Sequence, residues 1–400
     1  MILKYMTLGV VVLYVLFIVY FKLRYPFWSR QPVFYYHDIK NMIYPKGIIQ
    51  LSLPNVSYKL NNSIDFKDVK SMTSQEMTNL TNFIKNNYMT EPHEKYTPTK
   101  DDIKDQLICR NMPSSVSMYY DNFYGDLIGT MTSAFKKFIK PNVDLQVAYI
   151  DNLCVDKKHR GKNIAGQITE NHYIRERYQN KVSVFMFKHE GISRPFVPLT
   201  IYHTYFYKLN QFHKIIITQN YLKCVLVTKD LSYLLYDLQT CLKNMNNNKH
   251  EHNNKHEHNN KQNHKLPFKC VVMDDLEHLM YLIKKQHIHV FCLLEEKTPL
   301  AFYFFKDIYT TYNGEKSIEC FSCIKFKPNL ENDKFVLGFY LAIDYIKSID
   351  KYKILLLENI SDTHYLLQTI KQSPYHSSKY YYYMFNYAMR PVSSKQIVIL

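Results

Sequence analysis

The sequence predicts an α/β (α+β) protein in which mixed sheets form two related lobes, preceded by a transmembrane helix. Three observations carry that reading. An uncharged apolar run opens the chain, a strand–strand–helix–strand order spans residues 117–187, and the same order returns over residues 290–358. Antiparallel strands that lead through a helix into a further strand indicate a sheet with a parallel crossover. The repeated order indicates a duplicated unit. At 400 residues, 46% of them hydrophobic and 15% aromatic, the chain can bury a substantial core, which excludes wholesale disorder. Thirty-six Tyr against nine Gly favours half-buried strands and helices over a glycine-rich loop protein.

Tyr5–Phe21 carries no charge, with Lys4 before it and Lys22, Arg24 and Arg30 after it. With Lys4 snorkelling, the run from Met1 reaches the length needed to cross a hydrocarbon layer. No small-residue cleavage site follows, so residues 1–23 are expected to remain as an anchor. More cations follow the span than precede it, which puts the bulk of the protein in the cytoplasm.

A polar approach runs to about residue 70, and Thr73-Ser-Gln-Glu76 then has the form of a capping box opening a helix over Ser74–Asn87. Thr99–Cys109 reads as a second helix. Ser117–Tyr120 and Leu127–Ser133 read as strands around the turn Asp121–Asp126, followed by a basic loop and the strand Leu145–Val155. A helix over 164–176 and a strand Ser183–Phe187 complete the first unit. Ile215–Ile217 and Cys224–Val227 add strands, and Lys229–Asn244 reads as a helix. Residues 246–265 hold the hexad Asn-Asn-Lys-His-Glu-His twice and a degenerate third copy, with no apolar residue, and are expected to be a disordered insertion. Beyond it come Phe268–Met273, a helix Leu276–Lys285, strands Val290–Leu294, Leu300–Lys306 and Ile318–Phe326, a helix Phe335–Ser348 and a strand Ile354–Glu358. The expected lobes are residues 24–228 and 229–400.

The formal charge of +16 attracts phosphates, anionic lipid and nucleic acid alike. The basic residues are dispersed and no recognition motif is present, so nucleic acid is not an expected partner. Of the eight Cys, only Cys320-Phe-Ser-Cys323 has ligand-like spacing, and it lies in an apolar run without a second pair. Buried thiols on a strand are the reading, not a metal site, and the scattered cysteines fit a reducing compartment.

Chemistry concentrates at residues 150–165, Ile-Asp-Asn-Leu-Cys-Val-Asp-Lys-Lys-His-Arg-Gly-Lys-Asn-Ile-Ala. An apolar strand breaks into a basic turn and then opens a helix, which aims backbone N–H groups, a helix N-terminus and cationic side chains at one spot suited to a pyrophosphate. Arg160-Gly161-Lys162-Asn163-Ile164-Ala165 is similar to the coenzyme A loop of GCN5-related acyltransferases, Arg-x-x-Gly-x-Gly/Ala, with Asn163 where that pattern has Gly.

Over residues 24–400 the chain resembles the glycylpeptide N-tetradecanoyltransferases (N-myristoyltransferases), a duplicated GCN5-related fold. Tyr25-Pro26-Phe27-Trp28 followed by Gln31-Pro-Val33 resembles that family's entry segment, whose Phe-Trp contacts the CoA end. Asn152-Leu153-Cys154-Val155 with Arg160–Ala165 resembles its Asn-Phe-Leu-Cys-Val and Arg-Ser-Lys-Arg-Leu-Ala run. Phe321-Ser322, Tyr380–Tyr383 and the terminal Gln396-Ile-Val-Ile-Leu400 fall where the family has Phe-Ser-Phe, Tyr-Tyr-Leu-Tyr and Ile-Val-Met-Leu.

The resemblance implies an acyl-CoA, most specifically myristoyl-CoA, as co-substrate with no tightly bound cofactor, and N-terminal glycine peptides as acceptors. It implies that the carboxylate of Leu400 is the base for the incoming ammonium and that the N–H groups of Asn152 and Leu153 receive the developing oxyanion. In a water-poor channel that carboxylate is expected to hold a proton more tightly than in water. Arg160 and Lys162 are expected at the CoA phosphates, and Tyr202 and Phe321 on the acceptor side. The acceptor side also departs from the family. Leu199-Thr-Ile-Tyr-His-Thr204 keeps Tyr202 but lacks two Arg, and Ser373-Pro-Tyr-His-Ser-Ser378 lacks the family's Asp. His189 and His203 are candidate alternative bases, but each reads first as an ordinary loop or half-buried histidine. An inactive scaffold or acyl-CoA sensor, and an acetyltransferase for small amines, stay open as alternatives.

Overall fold

The computed structural model describes residues 2–54, 60–89, 91–108, 113–121, 123, 125–214, 221–244 and 266–400. The strand expected at 215–217, the hexads at 246–265 and the last residue of the helix expected to end at Cys109 lie outside them. The chain opens with α1 (Ile2–Arg24). Its stretch Lys4–Arg24 is long and apolar enough to cross a membrane, and its side chains from Tyr5 to Tyr20 are almost all exposed. Only its last turns dock. Phe21 is buried against Tyr25, Tyr35 and His37, with ring centroids 5.4, 5.5 and 5.0 Å away.

After α2 (Ile39–Ile43) and β1 (Gly47–Ile48) come β2 (Ile64–Asp68), α3 (Ser74–Asn87), β3 (Glu94–Tyr96) and α4 (Lys100–Leu107). The first repeat unit follows as β4 (Ser114–Tyr120), β5 (Leu127–Lys140), β6 (Val143–Val155), α5 (Ile164–Arg175) and β7 (Phe185–Glu190). Next are β8 (Thr200–Lys208), β9 (Leu222–Leu226), α6 (Ser232–Lys243), β10 (Cys270–Met273) and α7 (Leu276–Lys284). The second unit is β11 (Ile288–Glu295), β12 (Thr298–Tyr312), β13 (Glu315–Lys325), α8 (Asn332–Ser348) and β14 (Ile354–Glu358). The chain closes with α9 (Thr363–Thr369), β15 (His376–Phe385), β16 (Tyr387–Ala388) and β17 (Ile397–Ile399).

The two units share one topology. β4, β5 and β6 are antiparallel neighbours and α5 carries the chain to β7, parallel to β6. β11, β12 and β13 repeat this, and α8 carries the chain to β14, parallel to β13. Among the described residues fifteen strands join in one sheet, whose central path runs β17-β10-β5-β6-β7-β15-β8-β14-β13-β12-β11-β9. Strands are exchanged along that path. β8 and β9 pair with the second unit, while β10 and β15 pair with the first.

Side-chain alternation distributes the core over both faces. On β12, Phe302 and Phe304 pack with α6 and α7, whereas Tyr303 and Phe305 pack under α8. Cys320 and Cys323 are buried thiols on β13, with sulfurs 3.4 Å apart. Among the differences from expectation are two in the first unit. The basic loop expected after Ser133 is the continuation of β5, because Phe135, Phe138 and Ile139 are buried and Lys136 and Lys137 only interrupt the apolar pattern. The helix expected to reach residue 176 ends at Arg175 and continues as one π-helical turn, Glu176–Asn180. There Glu176 is buried among hydrogen bonds from Ser133 and Asn180, at 2.6 Å each.

Candidate active site

The parallel pair β6 and β7 sets the site. Their register runs from Ala148↔Phe185 to Ile150↔Phe187, after which the strands part. At the same point β6 bulges against β5: Thr132 pairs with Asp151 and Thr130 with Cys154, leaving Asn152 and Leu153 opposite Met131 alone. Asn152 has φ +50°, a left-handed conformation that asparagine tolerates better than most residues. The bulge leaves the backbone of these two residues outside the regular ladder with β5.

Two cavities meet there. The first, about 490 Å³, is lined by Phe27, Trp28, Asn152, Leu153, Asn163 and Ala165, together with Gly166, Phe187 and His189. The start of α5 reaches it because residue 166 is glycine. A Cβ there would lie 2.4 Å from Asn163 Oδ1 and 2.9 Å from the Phe27 ring. Asn163 has φ +58°, so its side chain occupies a backbone position that would equally suit glycine. Trp28 packs on Phe196, with ring centroids 4.8 Å apart, and fixes one wall.

The other residues expected at the CoA end are not among those lining this cavity. Tyr25 is half-buried against Phe21, and Pro26 is exposed with its carbonyl accepting from Ser29 Oγ at 3.1 Å. Cys154 and Val155 are buried at the end of β6, and burial pushes the Cys154 thiol up to about 11. Arg160 donates to the carbonyls of Val155 and Asn87, each at 3.1 Å, so its guanidinium ties β6 to α3. Gly161, with φ +81°, and Lys162 are exposed on the turn before α5, and Ile164 is buried beneath it.

The second cavity, about 340 Å³, shares Asp151, Asn152 and Lys188 with the first and is also lined by Leu400, Phe321 and Tyr312. Leu400 is buried because β17 pairs with β10 and its N–H donates to Val272 O at 2.8 Å. Its terminal oxygen accepts from Lys136 Nζ at 2.8 Å, and the same ammonium lies 2.9 Å from Asp274 Oδ2. The chain end therefore does not stand alone in an apolar channel but accepts from a cation. Burial pushes the Asp274 carboxyl up, but Lys136 and His278 outweigh burial and bring it down to about 2.

Residues distant in sequence complete the polar wall. Lys188 Nζ lies 2.8 Å from Glu319 and 2.5 Å from Glu358, and Lys306 lies 2.6 Å from Glu319. Burial opposes ionisation of Glu319, but these two ammonium groups hold its carboxyl low. Burial and the neighbouring Glu319 charge push Glu358 up. Tyr202 is buried behind this group and donates to Glu358 Oε1 at 2.9 Å. His189 Nε2 sits 2.8 Å from Ile192 O, and His203 is exposed beside Tyr205.

Asp151 was not singled out from the sequence. It is exposed to the space of both cavities, and the protein packed around that space pushes its carboxyl up, partly offset by the Asn152 N–H and by Lys306 and Lys188. Its Oδ1 accepts from the Asn152 N–H at 2.8 Å. Asp151, Glu190, Asp274, Asp307, Glu319, Glu358 and the terminal carboxylate face Lys136, Lys188 and Lys306, so the second cavity suits a cationic group. Strand pairing across the whole sheet assembles it, and no local motif announces Lys136, Lys188 or Glu319.

No family model and no curated protein matches the sequence. Solved structures do match the fold. The crystal structure of Saccharomyces cerevisiae N-myristoyltransferase with bound myristoyl-CoA has a TM-score of 0.67 and 13% identity, covering 92% of this chain and 94% of that one. A second structure of that enzyme with myristoyl-CoA has the same score and identity, covering 93% and 90%. A third, with myristoyl-CoA and inhibitors, covers 92% and 91% at the same score and identity. The chain thus has the mixed α/β fold seen in N-myristoyltransferase structures.

Proposed function

We propose that the protein is an acyl-CoA-dependent N-acyltransferase that moves myristate from myristoyl-CoA to an N-terminal glycine amine. The observation that carries this reading is that the buried Leu400 terminus lines the same cavity as Asn152, the residue at which β6 bulges. The acyl-CoA would enter the first cavity, between Trp28 and the start of α5, placing its thioester where β6 and β7 part. The acceptor ammonium would lie in the acidic cavity and give one proton to the Leu400 carboxylate. The free amine then attacks the thioester carbon. Its C–N bond forms, the C–S bond breaks, and the second amine proton leaves with the CoA thiol, while bulge N–H groups hold the oxyanion. We assign acyl-CoA to the lobe 24–228 and propose that α1 holds the protein on a membrane, with the catalytic part cytoplasmic. The basic residues after the apolar stretch, Lys22, Arg24 and Arg30, support that orientation.

A second reading, an inactive acyl-CoA-binding scaffold, is favoured by one observation: Asp151 already occupies the Asn152 N–H. Mass spectrometry of glycine-initiated peptides incubated with the full chain and a mixture of acyl-CoAs separates the two. Peptide mass gains matching myristoyl are expected, and they should fall at least tenfold when Leu400 is deleted. Binding of acyl-CoA without any modified peptide would favour the scaffold, and acetyl transfer alone would favour a small-amine acetyltransferase.

A further inference from the structure

We propose that Asp151 is an acceptor-sensing residue: it closes the Asn152 N–H while the acceptor cavity is empty, and an incoming ammonium draws it off and frees that donor for the thioester oxygen. This rests on the acyl-transfer reading above and adds a control step to it. Asp151 and Asn152 are adjacent, and both line the two cavities where these meet. Asp151 Oδ1 lies 2.8 Å from the Asn152 N. A carboxylate in that position both occupies the donor and opposes negative charge on a nearby thioester oxygen. An acyl-CoA bound alone would therefore meet an unprepared site and be protected from water.

The neighbouring cations form their ion pairs with other carboxylates and act on Asp151 only at longer range. Lys188 is paired with Glu319 and Glu358, and Lys306 with Glu319. A cation arriving through the second cavity can thus satisfy Asp151 better than the wall does. Asn152 supplies an independent sign of a missing ligand. Its side chain is 4% exposed, Nδ2 donates to Thr132 Oγ1 at 3.1 Å, and Oδ1 has no hydrogen-bond partner. In this proposal Asp151 and Asn152 Oδ1, on adjacent residues lining the second cavity, accept from a primary ammonium, which carries three donors. Once the ammonium has moved Asp151, the amine loses one proton to the Leu400 carboxylate and attacks the thioester carbon. The C–S bond then breaks and the thiolate takes the second amine proton.

The test uses the full chain in detergent micelles, myristoyl-CoA and a glycine-initiated peptide. Release of free CoA thiol is measured with and without peptide. In the wild type, peptide-free hydrolysis should be slow. Asp151→Ala should raise it roughly tenfold or more, the scale of one oxyanion donor, and raise the peptide KM. Asp151→Asn keeps an oxygen for the Asn152 N–H but loses the charge, so it should raise the peptide KM and leave hydrolysis slow. Wild-type hydrolysis rates in a folded Asp151→Ala protein that still binds myristoyl-CoA would overturn the sensing role. If that variant does not fold, an unchanged peptide KM in Asp151→Asn would overturn it. If the wild type neither binds myristoyl-CoA nor modifies peptide, the acyl-transfer reading itself fails and the sensing role with it.

Discussion

Lys136 is the side chain on which the chain terminus depends. It sits between Leu400 and Asp274, at 2.8 and 2.9 Å, with only 16% of its side chain exposed. Replacing it by Met leaves two buried carboxylates facing each other. A loss of about 3 kcal/mol at pH 7 is expected, the scale for breaking a buried pair by removing one partner. Asp274 also gives a pH signature. Its carboxyl is brought down to about 2, below the unfolded value, so it contributes stability above about pH 4 that is lost as pH falls toward 2. Lys136→Met should flatten that acid limb in a thermal-unfolding series, and should slow peptide acylation roughly tenfold by misplacing the terminal carboxylate. A variant with wild-type acid sensitivity would remove Lys136 from this role. Gly166 is the second position where one atom decides. Gly166→Ala puts a Cβ within 2.9 Å of both Asn163 Oδ1 and the Phe27 ring. A cost of about 1–3 kcal/mol is expected from overpacking. Displacing Phe27, which lines the first cavity, should also weaken myristoyl-CoA binding, measured by calorimetry.

Elements whose signals are local were legible in the sequence, and those made by distant pairing were not. The helix over Ser74–Asn87 has its expected bounds because Thr73 and Glu76 form a reciprocal capping box, with Glu76 N to Thr73 Oγ1 at 3.2 Å and Thr73 N to Glu76 Oε2 at 2.8 Å. α5 begins at Ile164 as read, since the turn before it carries its own left-handed residues, Gly161 and Asn163. β8 was missed. Its pattern alternates Tyr202, Thr204 and Phe206 inward with Ile201, His203 and Tyr205 outward, and buried Thr with exposed Ile hides the period. The polar wall was equally hidden, because Lys188 meets Glu319 and Glu358 across 131 and 170 residues of sequence. The apolar helix was legible from hydropathy alone, and it carries its own prediction. Because Phe21 is the one buried side chain among the described side chains of α1, deleting residues 2–20 should leave the unfolding temperature of the rest within about 2 °C, since surface changes cost little. The same deletion should abolish co-sedimentation with phospholipid vesicles. Persistent sedimentation would place membrane affinity elsewhere on this basic chain.

At the scale of the whole molecule, the exchange of strands ties the two units into one cooperative body. β8 lies between β15 and β14, so the middle of the sheet is a join between halves of the chain, with registers running His376↔Phe206 to Tyr382↔Thr200 and Ile354↔Lys208 to Glu358↔Thr204. At one end β10 and β17 extend the first unit, and at the other β9 extends the second. Neither unit can leave without stripping strands from the other, and neither can bring Leu400 and Asn152 to one cavity unaided. The candidate site is therefore a product of the complete sheet. Thermal unfolding should accordingly be a single transition, with calorimetric and van't Hoff enthalpies in agreement. Destabilising the join should lower that one transition. Thr204→Pro, on a strand paired on both sides, removes a ladder donor and should lower the midpoint for probes in both halves together. Two separable transitions, with Trp28 fluorescence in the first half melting independently of the rest, would mean that the sheet is mechanically divided at β8. The terminal carboxylate would then reach its cavity by docking of preformed lobes.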